Sequence, residues 1–501
     1  MNSRASASFS AVVLLALIGL GAAASASSDT ESSMFSSAVR GSVAPTQHPL
    51  VAQYTLSAPT VGQVSVEFGT DRSYGRWTAS KTMSRAGSTV NILVAGMRPN
   101  TTYHMRARIE VKGRTYYDID HTFTTGGLPP VTFPVVTVKQ HGRPVARSGV
   151  DLVNSLMGTN VQAAVFDADG KVIWYYYDPT LNIFPIRQLA NGNFLVSYVY
   201  GVREVDLAGN ILRDVTLNQI NAALAAAGYS LHVTNLHHDV LGLANGHWIL
   251  LAAEIRSFQD LPGYPGTISV LGDAVVDLDT NNQAVWVWRA FDHLDVNRHP
   301  YGFPPDWTHS NALVYLPDGN LLLSMRNQSW VLKLDYANGA GSGDILWRLG
   351  FEGDFSLSAW GSAAAWFYNQ HFPLVLENHG SKYRLALYDN GNSRPDTTGQ
   401  PCFVSNTCYS RGVIMDLDES ARTATVFWQY VLPCYSYWGG SVTALPGGYL
   451  EVDSATVNYG YSQVIEVPVG PARSVVWDMT AQNANFYRAN RIPSLYPGVS
   501  W

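Results

Sequence analysis

Apolar residues recur at every second position in short bursts, Val61–Phe68, Thr89–Val94, Tyr103–Ile109 and Tyr116–Phe123, with turn residues such as Arg98-Pro99-Asn100-Thr101 between them. A period of two puts one face of a strand in a core and the other in water, so each burst predicts a strand. Together they predict a small antiparallel sandwich over residues 46–126. Gly126 to Pro130 interrupts the pattern as a linker. From 131 to 501 the rhythm lengthens. Each unit holds an apolar stretch, a tight turn, a second apolar strand, an acidic residue near a strand end and a closing Trp. The turns are Ala190-Asn-Gly-Asn193, Ala244-Asn-Gly-His247, Pro317-Asp-Gly-Asn320, Glu377-Asn-His-Gly380 and Pro446-Gly-Gly448. The closing pairs are Asp167…Trp174, Asp277…Trp286, Asp335…Trp347, Asp416…Trp428 and Glu466…Trp477. Asn-Gly and Asp-Gly supply the left-handed pair of a hairpin. Four strands per unit of roughly 40–60 residues predict a β-propeller. Counting turns and Trp ends gives six blades, one closed by strands from both ends of the region. Only Leu217–Ala227 reads as helical.

Composition narrows the class. Of 501 residues, 14 % are charged and 46 % hydrophobic, with 32 Lys+Arg against 38 Asp+Glu. Such a chain has the apolar side chains that a disordered one lacks. It has no Lys/Arg stripe to neutralise phosphates, which argues against a nucleic-acid partner. Residues 1–26 carry Arg4, an apolar core from Ala11 to Ala24 and the small-residue site Ala24-Ser25-Ala26. That is the pattern of a secretory signal peptide, too short for a membrane span. Residues 27–45, rich in Ser and Ala, read as a flexible tail. Secretion or periplasmic residence favours a disulfide between Cys402 and Cys408, leaving Cys434 as a buried thiol. A zinc knuckle is disfavoured, because no second cysteine pair exists.

Three histidines share one phase of the long repeat, just before the strand that enters the turn: His238, His309 and His371, eight, ten and nine residues before Gly246, Gly319 and Gly380. Phe184 and Gly440 hold the matching place elsewhere. In a propeller this phase lines the central channel, so the three converge at one mouth. Imidazole supplies a nucleophile, acid or base near neutral pH. With Asn311 and Arg326 on the same blade as His309, the set suits an anionic substrate. Zinc or copper held by the histidines, with His237-His238-Asp239 as a local ligand pair, is the competing reading. The fixed cation of Arg326 weighs against it. No Gly-x₄-Gly-Lys-Ser/Thr loop occurs, and no cofactor is implied.

Two resemblances sharpen this picture. Met97-Arg98-Pro99-Asn100-Thr101-Thr102-Tyr103 resembles the late-strand signature of fibronectin type III-like domains. Asp306-Trp-Thr-His-Ser-Asn311, Leu323 to Asp335 and Ile345-Leu-Trp-Arg-Leu-Gly350 closely resemble the bacterial-type arylsulfate sulfotransferases. So do His237-His-Asp239, Gln370-His371, Tyr388-Asp-Asn-Gly391 and the terminal Tyr487 to Tyr496. The second resemblance spans roughly residues 150–498. It implies an all-β protein, a six-bladed β-propeller preceded by a small sandwich, that moves a sulfuryl group from an aryl sulfate ester to a phenolic acceptor without a nucleotide. It further implies His371 as the transient sulfuryl acceptor, with His238, His309, Asn311 and Arg326 completing the site, and suggests a homodimer. A hydroxyl from the last blade would fall near Ser441 or Thr443. One departure is visible: family members carry their short-loop disulfide before the acceptor histidine, whereas Cys402 and Cys408 follow His371. The apolar insert Ser356–Phe367 belongs to a subgroup. The alternatives are a non-catalytic propeller that binds a sulfated or aromatic ligand, and an aryl sulfatase.

Overall fold

Strands make up 52 % of the protein and helices 5 %, and the protein is all-β. The computed structural model describes residues 39–141, 147–302, 305–358, 365–458, 460–471 and 473–501. The expected signal peptide, the first part of the expected tail and residues 359–364 of the apolar insert lie outside these. Among the described residues, no helix is long and apolar enough to cross a membrane.

Two compact units divide the chain. The smaller runs through Ala44, Gln53–Val94 and Thr102–Phe123. One of its sheets orders Arg40–Pro45, Ala52–Ser57 and Thr89–Val94; the other is built on Gly62–Gly69 and Thr102–Val111. Tyr103, Met105, Ala107 and Ile109 alternate inward, which is the period-two pattern read directly into burial. Two readings need correction. Arg40–Pro45, placed in the flexible tail by its composition, is an edge strand that forms by pairing, since four of its six residues are exposed and none is buried. The burst Tyr116–Phe123 is two strands, Arg114–Tyr117 and His121–Thr124. The break is set by buried Asp118, whose carboxylate accepts from the Tyr54 hydroxyl at 2.5 Å and the Ala107 amide at 2.6 Å.

The larger unit takes Pro45–Ala52, Ala95–Thr101 and everything from Thr124. Among its described residues are six sheets of four or five strands. The first joins Val150–Met157, Ala163–Phe166 and Val172–Tyr176 to the C-terminal strand Asn485–Ile492. The second to fourth open with Ile183–Gln188, Asn235–Gly242 and Ser310–Tyr315, each a meander of four antiparallel strands. The fifth opens with His371–His379 and carries Ser356–Ser358 parallel on its far edge. The sixth opens with Ser441–Leu445 and ends on Val136–Gln140, a strand from the start of the unit. Opening strands of successive sheets touch in order from the second sheet to the sixth, and the sixth touches the C-terminal strand of the first. The closing tryptophans pack one sheet onto the next: Trp174 stacks on Phe194 at 4.4 Å and Trp286 meets Tyr336 at 5.0 Å. The turn glycines sit where the hairpins require them. Gly319 has φ +83°, and a Cβ there would lie 2.6 Å from the Asn338 amide. The expected helix forms at Leu217–Ala226, started by a capping box between Thr216 and Gln219.

Arg491 ties the ends of this unit together. On the C-terminal strand, its guanidinium reaches Asp151 at 2.6 Å, Glu466 at 2.7 Å and Glu451 at 3.0 Å, all buried. Arg147 shares Glu466 at 2.6 Å. Three carboxylates against two guanidiniums leave an excess of negative charge. Burial, then the neighbouring Asp151, holds the Glu451 carboxyl well above the usual carboxylate range. Stripping one partner from a buried ion network costs about 3–5 kcal/mol. Arg491→Ala is therefore expected to lower the thermal midpoint clearly, and an unchanged midpoint would show that the network does not support the fold.

Candidate functional site

Each histidine sits on an irregularity of its opening strand. Pairing skips between Leu236 and Val240, between Ser310 and Ala312, and between His371 and Leu374. The second sheet skips likewise between Ile183 and Ile186, next to Phe184. A bulge inserts an unpaired residue and re-aims side chains, and such bulges cluster beside active sites. The backbone is left-handed at His238 (φ 56°), His309 (φ 49°) and Phe372 (φ 48°), a conformation that non-glycine residues adopt only under constraint. Strict alternation would let only one of His237 and His238 face inward. The bulge changes that: their Nδ1 atoms lie 2.9 Å apart, with His237 turned toward Asp273 and His238 toward His309.

The predicted residues come together. The His238 and His309 rings lie 4.7 Å apart, and Phe184 stacks on His238 at 5.4 Å. Tyr487 bridges to the third histidine, 5.6 Å from His238 and 5.8 Å from His371. Burial first, then the charges of Arg326 and Arg488 and the neighbouring His309, hold His371 well below the ordinary imidazole value. Burial likewise depresses His238, with the other three histidines of the cluster and Arg488 adding to it. Both rings are therefore neutral at neutral pH.

His371 has a fixed tautomer. Asn390 donates both protons of its amide, to the carbonyls of Ser436 at 2.8 Å and Gly439 at 3.0 Å, so its Oδ1 faces His371. That oxygen accepts from His371 Nδ1 at 2.7 Å. The ring's one proton is thus on Nδ1, and Nε2 keeps its lone pair, to which the Gly439 amide donates at 3.2 Å. Gly439 must be glycine to come this close: φ is +63°, and a Cβ would lie 2.6 Å from Ala455 Cβ. Asn390 is itself held from behind, where Arg394 and Arg411 both reach Asp389 at 2.7 Å.

Around these rings lie buried donors without acceptors. Among the described residues, Arg326 Nε, Arg488 Nε and the Tyr487 hydroxyl have no aligned hydrogen-bond partner. Arg326 is anchored by its other nitrogens, which donate to Asn327 Oδ1 at 2.7 Å and the Tyr437 carbonyl at 3.2 Å. Buried donors are rarely left unmatched, so orphans grouped in one place suit a ligand rich in acceptor oxygens. Beneath them, Asp239 is clamped by Arg187 at 2.6 Å and Arg488 at 3.3 Å. Two guanidiniums on one carboxylate leave a net positive charge, again suited to an anion. The clamp also consumes the carboxylate that the metal reading needs. Among the described residues, no group of three or more His, Cys, Asp and Glu is placed to hold a metal ion.

Three residues make contacts other than those expected of them. Asn311 is fully buried and donates its amide to the Gln370 carbonyl at 2.7 Å, so it braces the backbone directly before His371. Ser441 and Thr443 are spent elsewhere, on the Ala489 carbonyl and the Asn490 side chain. Asp306, Asn390 and Tyr487 lie within the family-like motifs, and the sequence alone assigns them no role. Asp306 hydrogen-bonds His309 Nδ1, and its spacing of three residues before that histidine was the available signal. Cys402 and Cys408 form a disulfide, with Cys402 Sγ 3.0 Å from the Gly391 carbonyl, next to Asn390; Cys434 is a buried free thiol.

A neutral histidine with an unprotonated Nε2, a second, carboxylate-paired histidine and a cluster of cationic donors make a site suited to an anionic ligand. The chain belongs to the arylsulfotransferase (ASST) family, whose model matches residues 135–488. Direct comparison with curated proteins yields no match. Solved structures of low identity are similar to it. A protein of unknown function from Bacteroides caccae is 11 % identical, over 68 % of this chain and 98 % of that one, with a TM-score of 0.42. A streptogramin B lyase is 10 % identical, over 69 % and 87 %, with a TM-score of 0.33.

Proposed function

We propose that the protein is an exported arylsulfate sulfotransferase working through a sulfohistidine at His371. The observation that carries this reading is the Asn390 lock, which puts the ring proton on Nδ1 and leaves His371 Nε2 an unprotonated lone pair, engaged by the Gly439 amide, among poorly matched donors. In the first half-reaction Nε2 attacks sulfur of the aryl sulfate, the N–S bond forms and the S–O bond breaks. The departing phenolate takes the Nε2 proton of a protonated His309, which Asp306 orients at Nδ1, and His309 regains a proton from water before the next cycle. Arg326 and the Gly439 amide meet the sulfuryl oxygens, the electrostatic stabilisation that transferring anionic groups require. Positive charge on the sulfated ring is stabilised where Nδ1 donates to Asn390. In the second half a phenol loses its proton to a histidine base, its oxygen attacks sulfur, and the N–S bond breaks to restore neutral His371. Covalent catalysis thereby divides one difficult transfer into two. The architecture is a six-bladed propeller, residues 131–501, preceded along the chain by a fibronectin III-like sandwich, residues 46–126, with residues 1–26 removed on secretion or entry to the periplasm. A homodimer and a metal-free, cofactor-free site complete the reading.

The decisive experiment is incubation with 4-nitrophenyl sulfate in EDTA. Donor alone is expected to add one sulfuryl group to the protein by intact mass, and steady nitrophenol release is expected only when phenol is added. Release that ignores the acceptor would make the protein a sulfatase. No release in any condition would favour the ligand-binding propeller.

A further inference from the structure

We infer that Asp273 and His237 are a positioning pair that fixes His238 as the base for the incoming phenol. This rests on the sulfuryl-transfer reading above and goes beyond it by deciding which histidine deprotonates the acceptor.

Asp273 lies fully buried in the strand Tyr264–Leu278 of the third sheet. Its Oδ1 is 3.2 Å from His237 Nε2, a close electrostatic contact that is not aligned as a hydrogen bond. Its Oδ2 accepts from the Ser310 amide at 2.5 Å, and its own amide donates to Thr308 Oγ1 at 3.1 Å. Asp273 therefore holds His237 and the Ser310 amide through its carboxylate, and the Thr308 hydroxyl through its backbone amide. Burial opposes its charge, but the His237 contact and the Ser310 hydrogen bonds outweigh that and hold the carboxyl below its usual range.

The protons follow from the partners. At 3.2 Å the carboxylate charge repels a ring nitrogen that carries a lone pair and attracts one that carries a proton, so His237 Nε2 carries the proton. A neutral ring has only one, which makes His237 Nδ1 an acceptor. The atom 2.9 Å away, His238 Nδ1, must then be the donor. His238 is left with a bare Nε2, in the ring that packs against His309 and Tyr487. When the phenol attacks, its proton goes to His238 Nε2 as the O–S bond forms and the N–S bond to His371 breaks. The new imidazolium shares its Nδ1 proton with His237, and Asp273 stabilises the charge. The proton then leaves to water.

Asp273→Asn tests this. The asparagine oxygen can keep the Ser310 amide while its NH₂ faces His237 Nε2. That turns His237 into an Nδ1 donor, forces His238 to the Nε2–H tautomer and removes the base. A wrong tautomer behind an intact geometry is known to cripple a histidine base. Transfer from pre-formed sulfoprotein to weakly acidic phenols is expected to fall roughly 10–100-fold. The loss should shrink for nitrophenols, which are already ionised, and adduct formation from 4-nitrophenyl sulfate should keep its rate. His237→Gln, whose amide oxygen can still accept from His238 Nδ1, should retain more activity on weakly acidic phenols than His237→Leu. An equal loss on every acceptor and in adduct formation overturns the pairing, because a merely structural role would produce that. Equal activities in the two His237 variants also overturn it. Wild-type protein that transfers sulfate without forming any adduct overturns the sulfohistidine reading instead, and the dependence on phenol acidity still judges the pair.

Discussion

His371→Ala is expected to reduce turnover by at least about 10⁴-fold, the scale on which a covalent catalyst loses rate when its nucleophile is removed. The sulfuryl adduct should vanish from the intact-mass spectrum at the same time. Folding should survive, since the imidazole's partners are polar and local. The substitution leaves Asn390 Oδ1 without its donor, which costs about 1–3 kcal/mol, less than the 5–15 kcal/mol by which domains are usually stable. The vacated space also permits a sharper check. Free imidazole can occupy it, accept the Gly439 amide and offer a mobile nitrogen to the donor, so added imidazole should restore part of the release of nitrophenol. A variant that keeps wild-type turnover would remove His371 from the nucleophile's role, whatever the mass spectrum of the parent shows.

How far such a site can be read from sequence depends on whether its residues are fixed by period or by tertiary contact. The strands were legible because half-buried strands alternate, and the hairpins because Asn-Gly and Asp-Gly tolerate left-handed backbone. The shared phase of His238, His309 and His371 was legible for the same reason, since equal positions in a repeat face the same way. The bulges were not. The three residues that face one between Leu236 and Val240 leave no trace in a period-two pattern, so alternation does not anticipate that His237 and His238 meet at their Nδ1 atoms. Nor could the pattern show that Asn311 braces Gln370, because that contact joins the fourth sheet to the fifth. The cradle beneath the histidines is the least legible part. Asp239, Arg187 and Arg488 come from three sheets and meet only in the folded chain. Arg40–Pro45 failed for a related reason: an edge strand takes its structure from its neighbour, and its composition alone reads as a tail.

Arg326 carries the second large effect. Its guanidinium is pinned through Asn327 and the Tyr437 carbonyl, its plane lies 4.7 Å from the Tyr301 ring, and its Nε–H is buried without an acceptor. The Gly439 amide that touches His371 Nε2 lies two residues beyond that same carbonyl. A sulfuryl group on Nε2 would therefore form beside a held, partly unsatisfied cation. Each charge-assisted hydrogen bond contributes roughly 1.5–3 kcal/mol, and about 1.36 kcal/mol is one decade of rate. Arg326→Ala, which removes the charge and the fork together, is expected to lower kcat/KM by roughly two to four decades. Arg326→Lys keeps the charge but cannot present a planar fork to two oxygens, so it should recover only part of the loss, remaining about one to two decades below wild type. The split between the constants identifies when the contact matters. A fall in kcat with KM steady means that Arg326 tightens on the sulfuryl group as charge spreads in the transition state, while a rise in KM alone means that it holds donor and transition state equally. Because the sulfoprotein must also discharge, the same two variants should slow transfer from pre-formed adduct to phenol. If only adduct formation slows, Arg326 belongs to donor binding rather than to the sulfuryl group, and wild-type values in both steps would place it outside the site.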